Sequence, residues 1–286
     1  MLANEMTFGV EIETHMPRGS VNPGCHGSGR QVDWLPAGWL ADSDPSIIVP
    51  HDGRVKCEFV SPVLKGAEGL RQVCEVVAEI KRRGGQVNAS CGTHVHVGFD
   101  KRNTPALGRL ISLVANHEKA MYAATGTRNR EQGAGSRYRT CWCKSVKQYG
   151  NKETAVARAS HDRYHVLNIA TGSKPTVEFR VFGASLNPVK LAAYIRLCTA
   201  LCEKSLVVKK VSFNTTAKTT RNRARFTGGE GHSELVRLFY AIGWRKNGAA
   251  TKAVHGLIEG EGVPTMDAAR KVLSRLATQY DASPSV

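Results

Sequence analysis

The alternation of apolar and polar residues predicts short β-strands in the first quarter of the chain. Residues 7–14 alternate with a period of two, and a second run of this kind spans about 55–60. Ser61-Pro62 ends the second run, because proline has no N–H to donate to a sheet ladder. Between them, 17–38 is rich in Gly, Pro and Ser, which predicts a long loop of the kind that is usually functional or mobile.

Further along the chain, apolar residues recur at helical spacing. A helix is predicted at 67–83, where Gly84-Gly85 provides a stop, and another at 104–124, where Thr104-Pro105 provides a start. A strand is predicted within 87–99 and a β-hairpin at 163–170 and 176–182. A long helix should follow Asn187-Pro188, and two more should lie at 233–244 and 265–280.

Strands and helices are mixed without regular βαβ units, which favours an α+β fold with a mainly antiparallel sheet and a helical C-terminal tail. We expect a catalytic core at 1–205. The remaining 206–286 should contribute a basic segment and C-terminal helices that pack on the core.

Candidate chemistry comes from charged residues inside the predicted strands. Glutamate is depleted in strands and is costly to bury without a partner. Side chains two residues apart share a face of a strand, which pairs Glu11 with Glu13 and His94 with His96. If these strands form one sheet, one face collects carboxylates, imidazoles and a guanidinium, from Glu11, Glu13, Glu58, His94, His96, Glu178 and Arg180. Such oxygen-rich sets suit Mg²⁺ or Mn²⁺, although any single glutamate taken alone is better explained by a solvent-facing strand position.

Composition narrows the class of protein. With 41% hydrophobic residues in 286, the chain suits globular packing rather than a fibrous or disordered state. No apolar segment approaches the length of a membrane span, and the N-terminus lacks the pattern of a signal peptide. The eight cysteines are scattered, which suits reduced thiols. We therefore expect a cytoplasmic protein. The net charge of +16 favours an anionic partner, such as nucleic acid, phosphate or carboxylate.

Five short motifs together resemble the amidoligase family, which belongs to the carboxylate–amine ligase group with glutamine synthetase and glutamate–cysteine ligase. The motifs lie at 8–13 (FGVEIE), 57–64 (CEFVSPVL), 91–98 (CGTHVHVG), 163–168 (RYHVLN) and 176–182 (TVEFRVF). They occur in the family's order, and residues 238–244 resemble the family more weakly.

The resemblance implies a curved antiparallel sheet like the catalytic core of glutamine synthetase, and ATP-dependent amide formation through an acyl phosphate. It implies that divalent ions are held by Glu11, Glu13, Glu58, His94 and Glu178. It also implies that His96, Arg163 and Arg180 contact nucleotide or phosphoryl oxygens. The substrates would be a carboxylate and an amine of unspecified identity. The chain departs from the family at Asp44-Pro45-Ser46, where an Asp-Gly-Ser turn is usual, which leaves the substrates open.

Other functions compete for some of these residues. Cys141 and Cys143, with Cys25 and His26, could form a zinc site, although a second closely spaced pair is missing. Cys91 could be the nucleophile of a hydrolase, although packing beside the site is the simpler interpretation. The basic stretches 128–147 and 204–225 suit a nucleic-acid-binding module without ligase activity, or an anionic substrate of a ligase.

Overall fold

The computed structural model describes residues 3–50, 53–132, 142–214, 229–244 and 253–284. Two short 3-10 helices, Ala3–Glu5 and Lys147–Tyr149, accompany seven strands and seven helices within these residues. The strands are β1 Thr7–Pro17, β2 Leu40–Asp42, β3 Arg54–Val60, β4 Leu64–Lys65, β5 Gly92–Gly98, β6 Leu167–Asn168 and β7 Thr176–Gly183. The helices are α1 Gly66–Arg82, α2 Thr104–Ala123, α3 Asn129–Gln132, α4 Lys152–Ala159, α5 Pro188–Val207, α6 Glu230–Ile242 and α7 Met266–Ala282.

All described strands belong to one sheet, in the order β2-β3-β1-β5-β7-β6, with β4 paired to the first residues of β1. Every pairing between these strands is antiparallel. The longest strand, β1, lies near the middle between β3 and β5. The prediction of an α+β fold with a mainly antiparallel sheet is therefore confirmed.

The two faces of the sheet have opposite character. On β1, the buried apolar residues Phe8, Val10 and Ile12 alternate with Glu11 and Glu13. Helices cover the apolar face: Phe8 contacts α1 beside Gly69, and Phe182 of β7 stacks on Tyr194 of α5 with ring centroids 4.1 Å apart. The acidic side chains consequently lie on the face away from these helices.

Two long helices begin where their sequence signatures predict. The side chain of Asn103 accepts a hydrogen bond from the backbone N–H of Ala106 at the start of α2, and Asn187 accepts one from Lys190 at the start of α5. Proline occupies the first turn of each helix, where its missing N–H costs nothing. These caps fix the ends of the helices that support the sheet.

The C-terminal helices pack against the helical layer. Both α6 and α7 contact α2, and α7 also contacts α5. The segment before α7 is fastened to α5, because Arg196 donates hydrogen bonds to the carbonyl of Ile258 and the N–H of Gly256 donates to Glu203. The proposed division between 1–205 and 206–286 stays a prediction, and α5 runs through its boundary to Val207.

Several boundaries differ from the predicted ones. Strand β1 continues to Pro17, the strand expected within 87–99 is confined to Gly92–Gly98, and the arm at 163–170 is reduced to Leu167–Asn168. The sequence analysis missed β2, which is three residues long, and α4, whose only buried residues are Ala155 and Ala159. Such short elements leave too little periodicity to recognise.

None of the helices in the described ranges combines the length and apolar character needed to cross a bilayer. The seven cysteines within those ranges are free thiols, and six of them are buried. Cys141 lies outside the described residues.

Candidate active site

The strand register gathers the predicted site residues on one face of the sheet. Glu11 lies opposite His94 of β5, and Glu13 lies opposite Glu58 of β3. The next pair along, His96 of β5, faces Glu178 of β7. The structure thus brings together residues that are more than 160 positions apart in the sequence, on four neighbouring strands.

Glu11 is at the centre of this face. Its carboxylate accepts one hydrogen bond from Nδ1 of His94 at 3.0 Å and another from Nε2 of His96 at 3.1 Å. Burial by itself raises the pKa of Glu11, but the two imidazoles outweigh it and hold that pKa well below its usual value. Burial lowers the pKa of His96, but Glu11 and Glu178 raise it by more, so the pKa of His96 is higher than usual. Glu11 is therefore an anion whose oxygens point at the histidines.

The neighbouring carboxylates are also fixed by hydrogen bonds. Glu13 accepts one from the backbone N–H of Gly92 at 2.6 Å. Glu178 accepts one from Asn168 at 2.5 Å and a short one from Nη1 of Arg180. Burial raises the pKa of Glu178, but the positive charges of the histidines and Arg180 have the larger effect. The pKa of Glu178 is therefore lower than its usual value. Both carboxylates are thus ordered before any ligand arrives.

A β-bulge in β7 turns Phe182 away from this face, while Arg180 stays on the same face as Glu178. Phe179 pairs with Val95 and Phe182 pairs with Thr93, so three steps along β7 match two steps along β5. Without the extra residue, Arg180 and Phe182 would share a face. With it, Arg180 contacts Glu178 among the polar residues, while Phe182 packs on the helical layer.

Glu58 differs from the other carboxylates because no described residue pairs with it. It is only 7% exposed, and burial together with nearby acidic groups raises its pKa to about 9. The acidic groups responsible are Glu11, Glu13, Asp44 and Asp42. This corner of the site has more negative charge than its surroundings can balance, which is the environment that a bound cation would relieve.

Four groups of carboxylate and imidazole atoms are close enough to share a cation. In each group the ligand atoms lie within 4.8 Å of one another. Two of the groups contain Glu11, and three of them contain Glu58. The groups are Glu11–Glu58–His94, Glu11–His96–Glu178, His26–Asp42–Glu58 and Glu13–Asp44–Glu58. Oxygen-rich sets of this kind suit Mg²⁺ or Mn²⁺, and the donors present therefore fit the expected divalent ions.

A cavity of about 430 Å³ opens over this face. Its lining combines carboxylates with cationic side chains, and the cationic residues are Arg130, Arg163, Lys174 and Arg180. Trp142 and Tyr164 form an edge-to-face aromatic pair at 5.0 Å in its wall. The cavity therefore offers both acidic groups that suit cations and basic groups that suit anions.

The family comparison agrees with this geometry. A family model described as "Putative amidoligase enzyme" matches residues 28–202, which is more than half of the chain. The chain belongs to the amidoligase family. The family predicted from the five motifs is thereby confirmed.

Two other comparisons are less informative. No curated protein matches the chain. Among solved structures, a bifunctional glutathione synthetase from Pasteurella multocida is similar, with 12% identity and a TM-score of 0.42. The match covers 98% of this chain and 52% of the other, so the amidoligase chain spans about half the length of that protein.

The structure adds residues that the sequence did not assign to this site, among them His26, which was considered only as a zinc ligand. Asp42 and His26 border the cavity beside Glu58, and the N–H of Gly27 donates a hydrogen bond to Asp42 at 2.7 Å. Asp44 belongs to the turn noted as a departure from the family pattern. The spacing Asp-Ser-Asp at 42–44 is the one signal that could have indicated these ligands.

The competing interpretations of other residues gain no support from the described residues. None of the four possible cation groups found there contains a cysteine, and Sγ of Cys143 donates to the carbonyl of Arg130 at 3.0 Å. Cys91 is buried, and burial raises the pKa of its thiol, which is unfavourable for a nucleophile. Much of the two basic stretches, 133–141 and 215–225, lies outside the described residues.

Proposed function

We propose that this protein is an ATP-dependent carboxylate–amine ligase that forms an amide through an acyl phosphate, on a sheet of the glutamine synthetase type. The observation that carries the proposal is the pair of cation groups joined at Glu11, with Arg180 fixed beside them by Glu178. Membership of the amidoligase family supports the same reaction.

The charge pattern suits phosphoryl transfer. Divalent ions bound by the carboxylates would neutralise charge on the phosphates of ATP and on the group that is transferred. His94 and His96 hold Glu11 in its anionic form, so it is ready to bind a cation. Arg180 and Arg163 line the same cavity and can contact phosphoryl oxygens. Glu13, Glu58 and Glu178 complete the proposed cation ligands, and magnesium or manganese is the expected ion.

A second cavity provides a place for the nucleotide base. It measures about 370 Å³ and shares Glu11, Val60 and Lys174 with the first. Its lining includes His96 and the apolar side chains of Val60, Pro62 and Val63. A mostly apolar cavity with a few polar groups suits a purine. ATP bound there would have its phosphates directed toward the shared carboxylate.

The proposed reaction needs no nucleophilic side chain from the protein. The substrate carboxylate attacks the terminal phosphorus of ATP, and ADP leaves. The amine then attacks the carbonyl carbon of the acyl phosphate, inorganic phosphate leaves, and the nitrogen loses a proton. Asp42 and Asp44 face the same cavity and can accept that proton. The protein's contribution is to position both substrates and to stabilise the developing charge.

Phosphate release provides the test. Purified protein with ATP and Mg²⁺ is screened against pairs of carboxylates and amines, including acidic peptides and polyamines, and products are identified by mass analysis. We expect release that requires both substrates. With hydroxylamine as the amine, the acyl phosphate should be captured as a hydroxamate.

Controls separate this function from the alternative. Glu178→Gln should abolish release, whereas Glu75→Gln, on the exposed surface of α1 and away from the cavity, should not. The excess positive charge is compatible with an anionic substrate. A salt-dependent shift of DNA without turnover of ATP by any pair would instead favour a nucleic-acid-binding protein.

A further inference from the structure

Arg130 is a buried arginine that α3 places in the wall of the main cavity. It is only 7% exposed and lines the cavity together with Arg163 and Arg180. Because it lies in a basic, irregular stretch of the sequence, it resembles a solvated surface residue until the fold is known. Arginine side chains are seldom buried unless they are paired, and Arg130 is hydrogen-bonded to the protein around it.

The backbone around Arg130 holds the guanidinium against the site. Nη2 donates a hydrogen bond to the carbonyl of Arg180 at 2.8 Å. The carbonyl of Arg130 accepts one from Sγ of Cys143, which ties α3 to the neighbouring loop. The side chain therefore has a fixed direction, and its orientation is coupled to the strand that presents Arg180.

Gly92 makes room for this guanidinium next to the histidines. A Cβ on Gly92 would lie 3.0 Å from Nη2 of Arg130 and 3.1 Å from Nε2 of His94, so the two side chains meet above the glycine. The N–H of the same glycine donates to Glu13. Arg130 is thus beside the proposed cation groups, next to His94.

We propose that Arg130 binds an oxyanion of the substrates, either the transferred phosphoryl group or the carboxylate that receives it, together with Arg180. This assignment rests on the proposed ligase function. A guanidinium has five N–H donors in a planar fork that matches phosphate and carboxylate oxygens. An oxyanion held between this fork and a divalent ion would be screened from both sides as its charge changes during transfer.

The test measures binding of two probes to the full chain, inorganic phosphate and acetate, each with and without saturating Mn²⁺. Arg130→Gln should lower the affinity for at least one probe about tenfold or more, the loss typical of a charge-assisted hydrogen bond. Phosphate as the affected probe identifies the phosphoryl group, and acetate identifies the carboxylate. Arg128→Gln is the matched control, because Arg128 stacks over the ring of Tyr280, 4.5 Å from its centroid, and contacts the carbonyl of Ser283.

Equal affinities of wild type and Arg130→Gln for both probes, or no binding of either probe by wild type, would overturn the assignment. Mn²⁺ affinity is measured in parallel on all variants, and we expect it to be unchanged in Arg130→Gln. Failure of wild type to bind Mn²⁺ or ATP would count against the ligase function, while the probes without Mn²⁺ still test Arg130. If Arg130→Gln does not fold, Arg130→Lys replaces it and should show the same direction of loss, since an ammonium cannot provide the fork.

Discussion

The carboxylate of Glu58, which has no partner among the described residues, should make the metal-free protein less stable as the pH rises. Its pKa in the folded chain is about 9, raised by burial and by the carboxylates around it. An exposed glutamate, as in the unfolded chain, has a pKa near 4.3. Between these values the folded protein keeps a proton that the unfolded chain has released. Stability from this group is therefore complete below about pH 4.3 and is lost as the pH rises toward 9.

The size of the effect follows from the same linkage. One group contributes at most about 1.4 kcal/mol per pH unit, so between pH 6.5 and 8.5 the loss is up to about 2.7 kcal/mol, or roughly 5 °C in Tm. Glu58→Gln carries no titrating proton and should lack this slope. His96, whose pKa is raised, adds a slope of the same sign to both proteins. The difference between the two slopes isolates the contribution of Glu58.

Urea unfolding in EDTA at pH 6.5 and 8.5 measures both slopes. Wild type should lose more free energy of unfolding than Glu58→Gln over this interval, and Glu75→Gln should behave like wild type. Saturating Mg²⁺ should stabilise wild type more at pH 8.5 than at pH 6.5, because cation binding requires the ionised carboxylate. Identical slopes in wild type and Glu58→Gln would refute the reasoning, since Glu58 would then titrate as an ordinary exposed glutamate.

Three further predictions address other parts of the molecule. Glu11→Gln should weaken Mn²⁺ binding at least about tenfold in an electron paramagnetic resonance titration, because Glu11 belongs to two cation groups, and unchanged affinity would remove it from both. Arg180→Lys should lower kcat for phosphate release about tenfold or more, since the point charge of an ammonium cannot replace the paired N–H donors of a guanidinium. The circular dichroism spectrum should be unchanged, and full activity would contradict a phosphoryl contact. Gly256→Ala should lower the free energy of unfolding by about 1–3 kcal/mol in urea, because the φ of Gly256 is 69° and an added Cβ would lie 2.3 Å from the carbonyl oxygen of Arg196. A loss below about 0.5 kcal/mol would show that the backbone there relaxes.

Much of the fold could be predicted because local patterns and tertiary structure agree. The alternation in β1 gives its two faces, and Asn-Pro and Asn-Thr-Pro signatures mark the starts of α5 and α2. The short strand β2 could not be predicted in the same way, and β6 was predicted only as part of a longer arm at 163–170. They are defined by pairing with β3 and β7 rather than by a pattern of their own.

The site residues also fall into two groups, those that a local sequence pattern marks and those that it does not. Glutamates between apolar neighbours in a strand, such as Glu11 and Glu178, stand out in the sequence because burial there needs a partner. Asp42 and Arg130 lie in a three-residue strand and a four-residue helix, where charged residues are unremarkable. Their role depends on which strand lies beside which, and on the space above Gly92, and neither is encoded locally.

The separation of the two faces of the sheet also bears on how such proteins diverge. Residues that stabilise the fold lie against the helices, whereas much of the cavity wall comes from connecting segments such as 44–46 and 163–164. Mutations in those segments can alter which substrates bind without changing the hydrophobic core, so substrate specificity can vary under little structural constraint. The Asp44-Pro45-Ser46 turn, where this chain leaves the common motif, lies in such a segment. Members with nearly identical strands can therefore be expected to differ in what they join.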